Sequence, residues 1–107
     1  MTLEEGLVLM RAERWFDAHE ALEKEWRDAP APERDFLQGL VHVTVAWHHA
    51  SRDNANGASR QLEKATRRLG PYAPEHRGVN VTSVLGQVEA ASARVSEGLL
   101  DLLPVRI

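Results

Sequence analysis

The chain has 107 residues, a net charge of −3, 43% hydrophobic and 27% charged residues, and no cysteine. That length buries a useful core without a staple, and the lack of cysteine excludes disulfides, thiolate metal sites and a cysteine nucleophile. No apolar run approaches the ~20 residues of a membrane helix, no charged-then-apolar leader opens the chain, and no long basic run offers itself to nucleic acid. The expectation is one cytoplasmic domain over residues 1–107, with neither membrane nor nucleic acid as partner.

Thr2-Leu3-Glu4-Glu5 matches a capping box, and Leu3, Leu7 and Met10 mark the inward stripe of a first helix to about residue 12. Ala12 to Arg14 holds no strong breaker, so a stop and a bend both remain open there. A second helix runs from Trp15 to about Arg27, where Asp28-Ala29-Pro30-Ala31-Pro32 ends it. Pro32 suits the first turn of a third helix reaching about Arg52. Phe36, Leu37, Leu40, Val41, Val43, Val45 and Trp47 surround most of its circumference, which marks a central helix buried on several sides.

Asp53 to Gly57 is a turn with capping residues at hand, and a fourth helix follows with Ala58, Leu62, Ala65 and Leu69 inward. Its basic residues between Arg60 and Arg68 alternate with apolar positions and read as a solvated face. Gly70-Pro71 stops it, and residues 71–79 read as a loop. Asn80 can cap a fifth helix on Val81, Val84, Val88, Ala91, Val95, Leu99 and Leu102, which Gly86 and Gly98 weaken without ending. No strand alternation competes. The fold class is all-α, a bundle of about five helices with short, mostly antiparallel connections.

The chemistry concentrates on the second helix. At ~100° per residue, with His19 at zero, Trp15 falls near −40°, Leu22 near −60°, Trp26 near −20°, Phe16 near +60° and Glu23 near +40°. His19 and Glu23 thus sit one turn apart within an apolar arc, and a carboxylate there needs a donor, a cation or a metal. On the third helix Gln38, His42 and His49 form a narrow polar strip, while His48 projects away from it. The functional reading is a metal site of His19, Glu23 and His49, with His42 as a further candidate, Gln38 supporting the ligands and the Trp26 indole free to bond a ligand. Mixed nitrogen and oxygen donors suit one divalent Zn, Mn, Fe or Ni ion, and an open position would serve a metal-dependent hydrolase.

The competing reading is a non-enzymatic protein–protein interaction module, in which the same His, Glu and Gln side chains lock the core; a homo-oligomer or another protein partner stays open. His19-Glu20-Ala21-Leu22-Glu23 only partly matches the H-E-x-x-H zinc pattern, because a glutamate stands where the second histidine belongs. Paired E-x-x-H elements of di-iron bundles, a glycine-framed serine elbow and a phosphate-binding glycine loop are all missing. His48 and His76 read as surface residues.

Phe16-x-x-His19-Glu20-x-x-Glu23-x-x-Trp26, Leu37-Gln38-Gly39-Leu40, His49 and Asn54-x-x-Gly57-Ala58 together resemble a family of small bacterial and archaeal helical proteins. It is known as domain of unknown function 309. The resemblance covers residues 5 to about 85, and its hallmark His-x-x-x-Glu-x-x-Trp/Tyr falls on His19, Glu23 and Trp26. It implies an all-α fold and a suggested metal site at His19 and Glu23, with no established activity. His42 departs from the family pattern, which favours His49 as the third ligand.

Overall fold

A computed structural model describes residues 2–107, with side chains from Leu3 onward. The Thr2 side chain, read above as a cap, lies outside the described residues. Five helices account for most of the chain: α1 (Thr2–Arg11), α2 (Trp15–Asp28), α3 (Ala31–Ser51), α4 (Ala55–Leu69) and α5 (Val81–Ser96). The molecule measures 37 × 25 × 19 Å, so its thinnest dimension is about two helix diameters. Each helix packs mainly on its neighbours in sequence. One apolar cluster draws on all of them, from Leu3 and Met10 through Leu22, Phe36 and Leu62 to Val88. Among the described residues no helix is long and apolar enough to cross a membrane.

The helix ends explain where sequence reading succeeds and fails. Asn54 Oδ1 accepts from Gly57 N at 2.9 Å and Asn80 Oδ1 from Ser83 N at 3.0 Å, so the expected caps open α4 and α5. Chain reversal after α1, α3 and α5 uses one device. At the end of α5, Gly98 N donates to Val95 O and Leu99 N to Arg94 O, both at 2.9 Å, with Gly98 at φ +79°. This is a Schellman motif, so Gly98 ends the helix that it was expected only to weaken. Leu99 and Leu102 belong to the C-terminal segment instead. The same bond pattern follows α1 with Glu13 at φ 58° and α3 with Asp53 at φ 58°. These are left-handed residues without glycine's freedom, and Glu13 settles the first junction as a break between two helices.

Residues 71–79 also hold more order than a loop. Gly70–Tyr72 forms one 3₁₀ turn, and Glu75–His76 pairs antiparallel with Val79–Asn80. Arg77 and Gly78, both at positive φ, make the two-residue turn between them. Two residues per strand are too few for alternation to register in a sequence.

The α3–α4 interface is the closest. Gly39 is buried, and a Cβ there would stand 2.6 Å from the Leu69 side chain. His42 Nδ1 lies 2.7 Å from Gln61 Oε1, which assigns the proton to Nδ1 and leaves a buried, unpartnered Nε2. Burial holds the His42 imidazole below the usual 6.5; the Gln61 hydrogen bond opposes this, and the charges of Arg68, Lys64 and Arg67 add to it.

Two outcomes follow at this interface. Gly39→Ala should destabilise the protein by about 1–3 kcal/mol through overpacking against Leu69, read as a lower urea midpoint with unchanged slope. His42 binds its proton more readily in the unfolded chain, so its contribution is complete above pH 6.5 and is lost as pH falls through the depressed folded value. Between pH 7.5 and 5, wild type should therefore lose more unfolding free energy than His42→Gln, by at most about 1.4 kcal/mol per pH unit. Parallel curves would show that His42 titrates alike in both states.

Candidate functional site

α2 presents Trp15, Ala18 and Leu22 to the core. Relative to His19, these centre near −70° on the helical projection at ~100° per residue, about 60–110° from His19 and Glu23. His19 and Glu23 consequently lie on the border of the buried face, with side chains 33% and 27% exposed. Phe16, placed in the apolar arc by its angle, falls beyond that border and is 70% exposed. The helix sits turned toward Ala18, which leaves the phenyl ring in water.

The His19 Nε2 to Glu23 Oε1 distance is 3.7 Å, and the other Glu23 oxygen stands 3.7 Å from Arg27. Both separations exceed hydrogen-bond length, so neither contact locks the Glu23 carboxylate in place. Neither side chain hydrogen-bonds α3 among the described residues. The polar strip of α3 is turned elsewhere: His42 meets Gln61, and His49 Nδ1 lies 3.2 Å from Asn54 Nδ2, beside Gly57 at the start of α4. His49 thus faces α4 rather than α2. Gln38 is half-buried on the same strip and makes no hydrogen bond among the described residues. The Trp26 ring carries the Arg34 guanidinium, 4.9 Å from its centroid. Among the described residues no group of three or more His, Asp or Glu side chains stands close enough to hold a metal ion, so His19, Glu23 and His49 are not assembled as one ligand set.

Two histidines expected on the surface are partly buried. His48 lies about 100° round α3 from His49 and is half-buried toward α2. Burial, with the charges of Arg52, His49 and His19, holds its imidazole below the usual histidine range. His76 Nε2 lies 2.8 Å from Glu33 Oε1 and packs on the Phe36 and Tyr72 rings, while Tyr72 donates to Pro32 O at 2.7 Å. Arg77 reaches Glu25 at 3.2 Å. These contacts pin the hairpin over the α2–α3 connection. Their sequence signal was the polar–aromatic run Tyr72 to Arg77, which has no periodicity and so offered no face to assign.

The surface left for chemistry is therefore the outer ridge of α2: Phe16, His19, Glu20 and Glu23, spaced i, i+3, i+4 and i+7 and lying side by side. It offers an aromatic ring, an imidazole and two carboxylates, of which Glu20 also borders an open groove with Glu5, Leu9 and Lys24.

A family model described as Domain of unknown function (DUF309) matches residues 3–61, a shorter stretch than the motif blocks suggest. The Uncharacterized protein YpuF of Bacillus subtilis (strain 168) is 33% identical over 114 aligned residues, covering 94% of this chain. The chain spans 62% of the length of that relative. No solved structure matches it. The ridge residues Phe16, His19, Glu20 and Glu23 all fall inside the matched segment, and by that match over more than half its length the chain belongs to the DUF309 family.

Proposed function

We propose that this protein is a non-enzymatic helical binding module whose contact face is the α2 ridge. The observation that carries the reading is Phe16, 70% exposed beside a His–Glu pair that bonds nothing across the helix interface. Core-locking side chains would be buried and hydrogen-bonded; these are accessible and unsaturated. A partner fitting the ridge offers an apolar pocket for the phenyl ring, rimmed by cationic groups for Glu20 and Glu23. Burying such a ring is worth about 1.5–3 kcal/mol, enough for it to act as an anchor. A second copy of the chain is one such partner.

A second reading rests on the 3.7 Å between His19 Nε2 and Glu23 Oε1. Two donors at ~2.1 Å from one tetrahedral ion stand ~3.4 Å apart, so a small side-chain adjustment would bring the pair to two positions of a Zn, Mn, Fe or Ni shell. Water would fill the rest, and hydrolytic chemistry would depend on it.

Two measurements separate the readings. Phe16→Ser should leave stability within about 0.5 kcal/mol, as exposed sites do. Immobilised wild-type chain should retain partner protein that Phe16→Ser loses by roughly 30-fold in affinity, the scale of an aromatic hot spot. Retention indifferent to both Phe16→Ser and Glu23→Gln would sink the module. A melting temperature raised by one of the four metals in wild type, and not in Glu23→Gln, would decide for the cation.

A further inference from the structure

Glycine is disfavoured inside helices, and three of the four interior glycines here have a packing reason. A Cβ would stand 2.7 Å from Leu22 at Gly6, 2.6 Å from Leu69 at Gly39 and 2.7 Å from Asn54 at Gly57. At Gly86, in the middle of α5, a Cβ would meet no atom within 4 Å. Gly86 instead borders a cavity of about 260 Å³ between α5 and the C-terminal segment. Gly86, Ala90 and Ala91 give one smooth wall, and Leu102, Leu103 and Pro104 give the other.

The second wall is held in place by the chain itself. Trp47 Nε1 donates to Leu103 O at 2.9 Å, and Gln87 both donates to Arg106 O at 2.7 Å and accepts from Arg106 N at 2.8 Å. The space is thus a built gap rather than a loose tail. Two cationic residues, Arg94 and Arg106, also line it. The Arg94 Nη2 is bonded to the Asp101 carboxylate at 2.6 Å, yet its Nε–H is buried and has no acceptor. Arg106 makes no ion pair among the described residues. A mostly apolar cavity bordered by a guanidinium with one N–H unanswered among the described residues, and by a second arginine without an ion pair, is complementary to an anion carrying an apolar body.

We propose that this cavity binds a small carboxylic acid with an aryl or short acyl body, its carboxylate received by Arg94 Nε and the Arg106 guanidinium. The volume lies just under the ~300–1,000 Å³ of drug-sized sites, which limits the body to about one ring or a short chain. The site shares no residue with the α2 ridge, so its test is independent of the module reading.

The test is a titration of the full chain with 3-phenylpropanoate, followed by amide shifts in two-dimensional NMR spectra. Saturable shifts confined to α5, residues 99–107 and the neighbourhood of Trp47, with a Kd of about 1 mM or tighter, are expected. The uncharged probe 3-phenylpropanol should bind about tenfold more weakly, as should the carboxylate to Arg94→Gln. Gly86→Leu, whose Cβ meets no atom within 4 Å at the cavity wall, should abolish binding while melting stays cooperative. Ala90→Leu, one turn along the same wall, serves the same purpose if the first variant does not fold. The proposal is overturned by shifts that never saturate, by equal binding of acid, alcohol and 3-phenylpropylamine, or by binding that survives the cavity-filling substitution.

Discussion

α3 carries apolar side chains around most of its girth, and a helix of that kind cannot satisfy itself against one neighbour. Phe36, Leu37 and Leu40 are fully buried, and Val43 is nearly so; each is worth about 1.5–3 kcal/mol only if water is excluded from its side of the helix. α2 and α4 therefore take different flanks of α3, and close approach is what makes the covering complete. Gly39 lets the Leu69 side chain lie on the α3 backbone, as Gly6 lets Leu22 lie on α1. The remaining flank is finished by the C-terminal segment, which the Trp47 indole and Gln87 hold down. The split between the two histidines follows directly. Consecutive residues point about 100° apart, so His48 goes to the α2 side and His49 to the α4 side, and no single site on one flank can use both.

What could be read in the sequence was whatever a helix decides for itself. The stripe Ala58, Leu62, Ala65, Leu69 is buried throughout, and Asn54 and Asn80 cap where their side chains can reach a free N–H two or three residues on. Those are local facts, fixed by 3.6-residue periodicity and by the backbone donors that every helix start leaves open. The end of α3 was legible to within a residue, whereas the break after α1 was not, because Glu13 takes a left-handed conformation that residue type does not advertise. Gly98 did advertise it, but the valine spacing of α5 continues into Leu99 and Leu102 and masks the stop. Periodicity measures where apolar side chains recur, not whether the backbone between them is still helical.

The site was harder for a different reason. A helical projection fixes angles between side chains on one helix and leaves open which neighbour occupies which arc. Gln38, His42 and His49 do form one strip, yet the strip faces α4, where Gln61 and Asn54 already answer two of its members. Nothing within α3 could have distinguished α4 from α2 as the helix it meets. The motif residues fared better: His19 and Glu23 are one turn apart and near one another, because that relation lies within a single helix. The family match is equally bounded. It places the ridge inside the matched segment and says nothing of what the ridge touches.

The exposed phenylalanine and the half-exposed carboxylate are two consequences of one choice of rotation. Turning α2 about its axis by some 60° would bring Phe16 toward α3 and recover about 1.5–3 kcal/mol of burial. The same turn would carry Glu23, only about 20° from Phe16 on the projection, into the interior. It would also lift Ala18 and Leu22 from their places against α1 and α3. An uncompensated buried carboxylate costs several kcal/mol, and the α3 groups that could receive it, His42 and His49, are committed to α4. The carboxylate therefore outweighs the ring. With α2 turned this way the Glu23 carboxylate stays partly exposed, 3.7 Å from Arg27, and Phe16 stays outside. On this account the charge placed among apolar neighbours sets the orientation of the helix and leaves the Phe16 ring on the surface beside it.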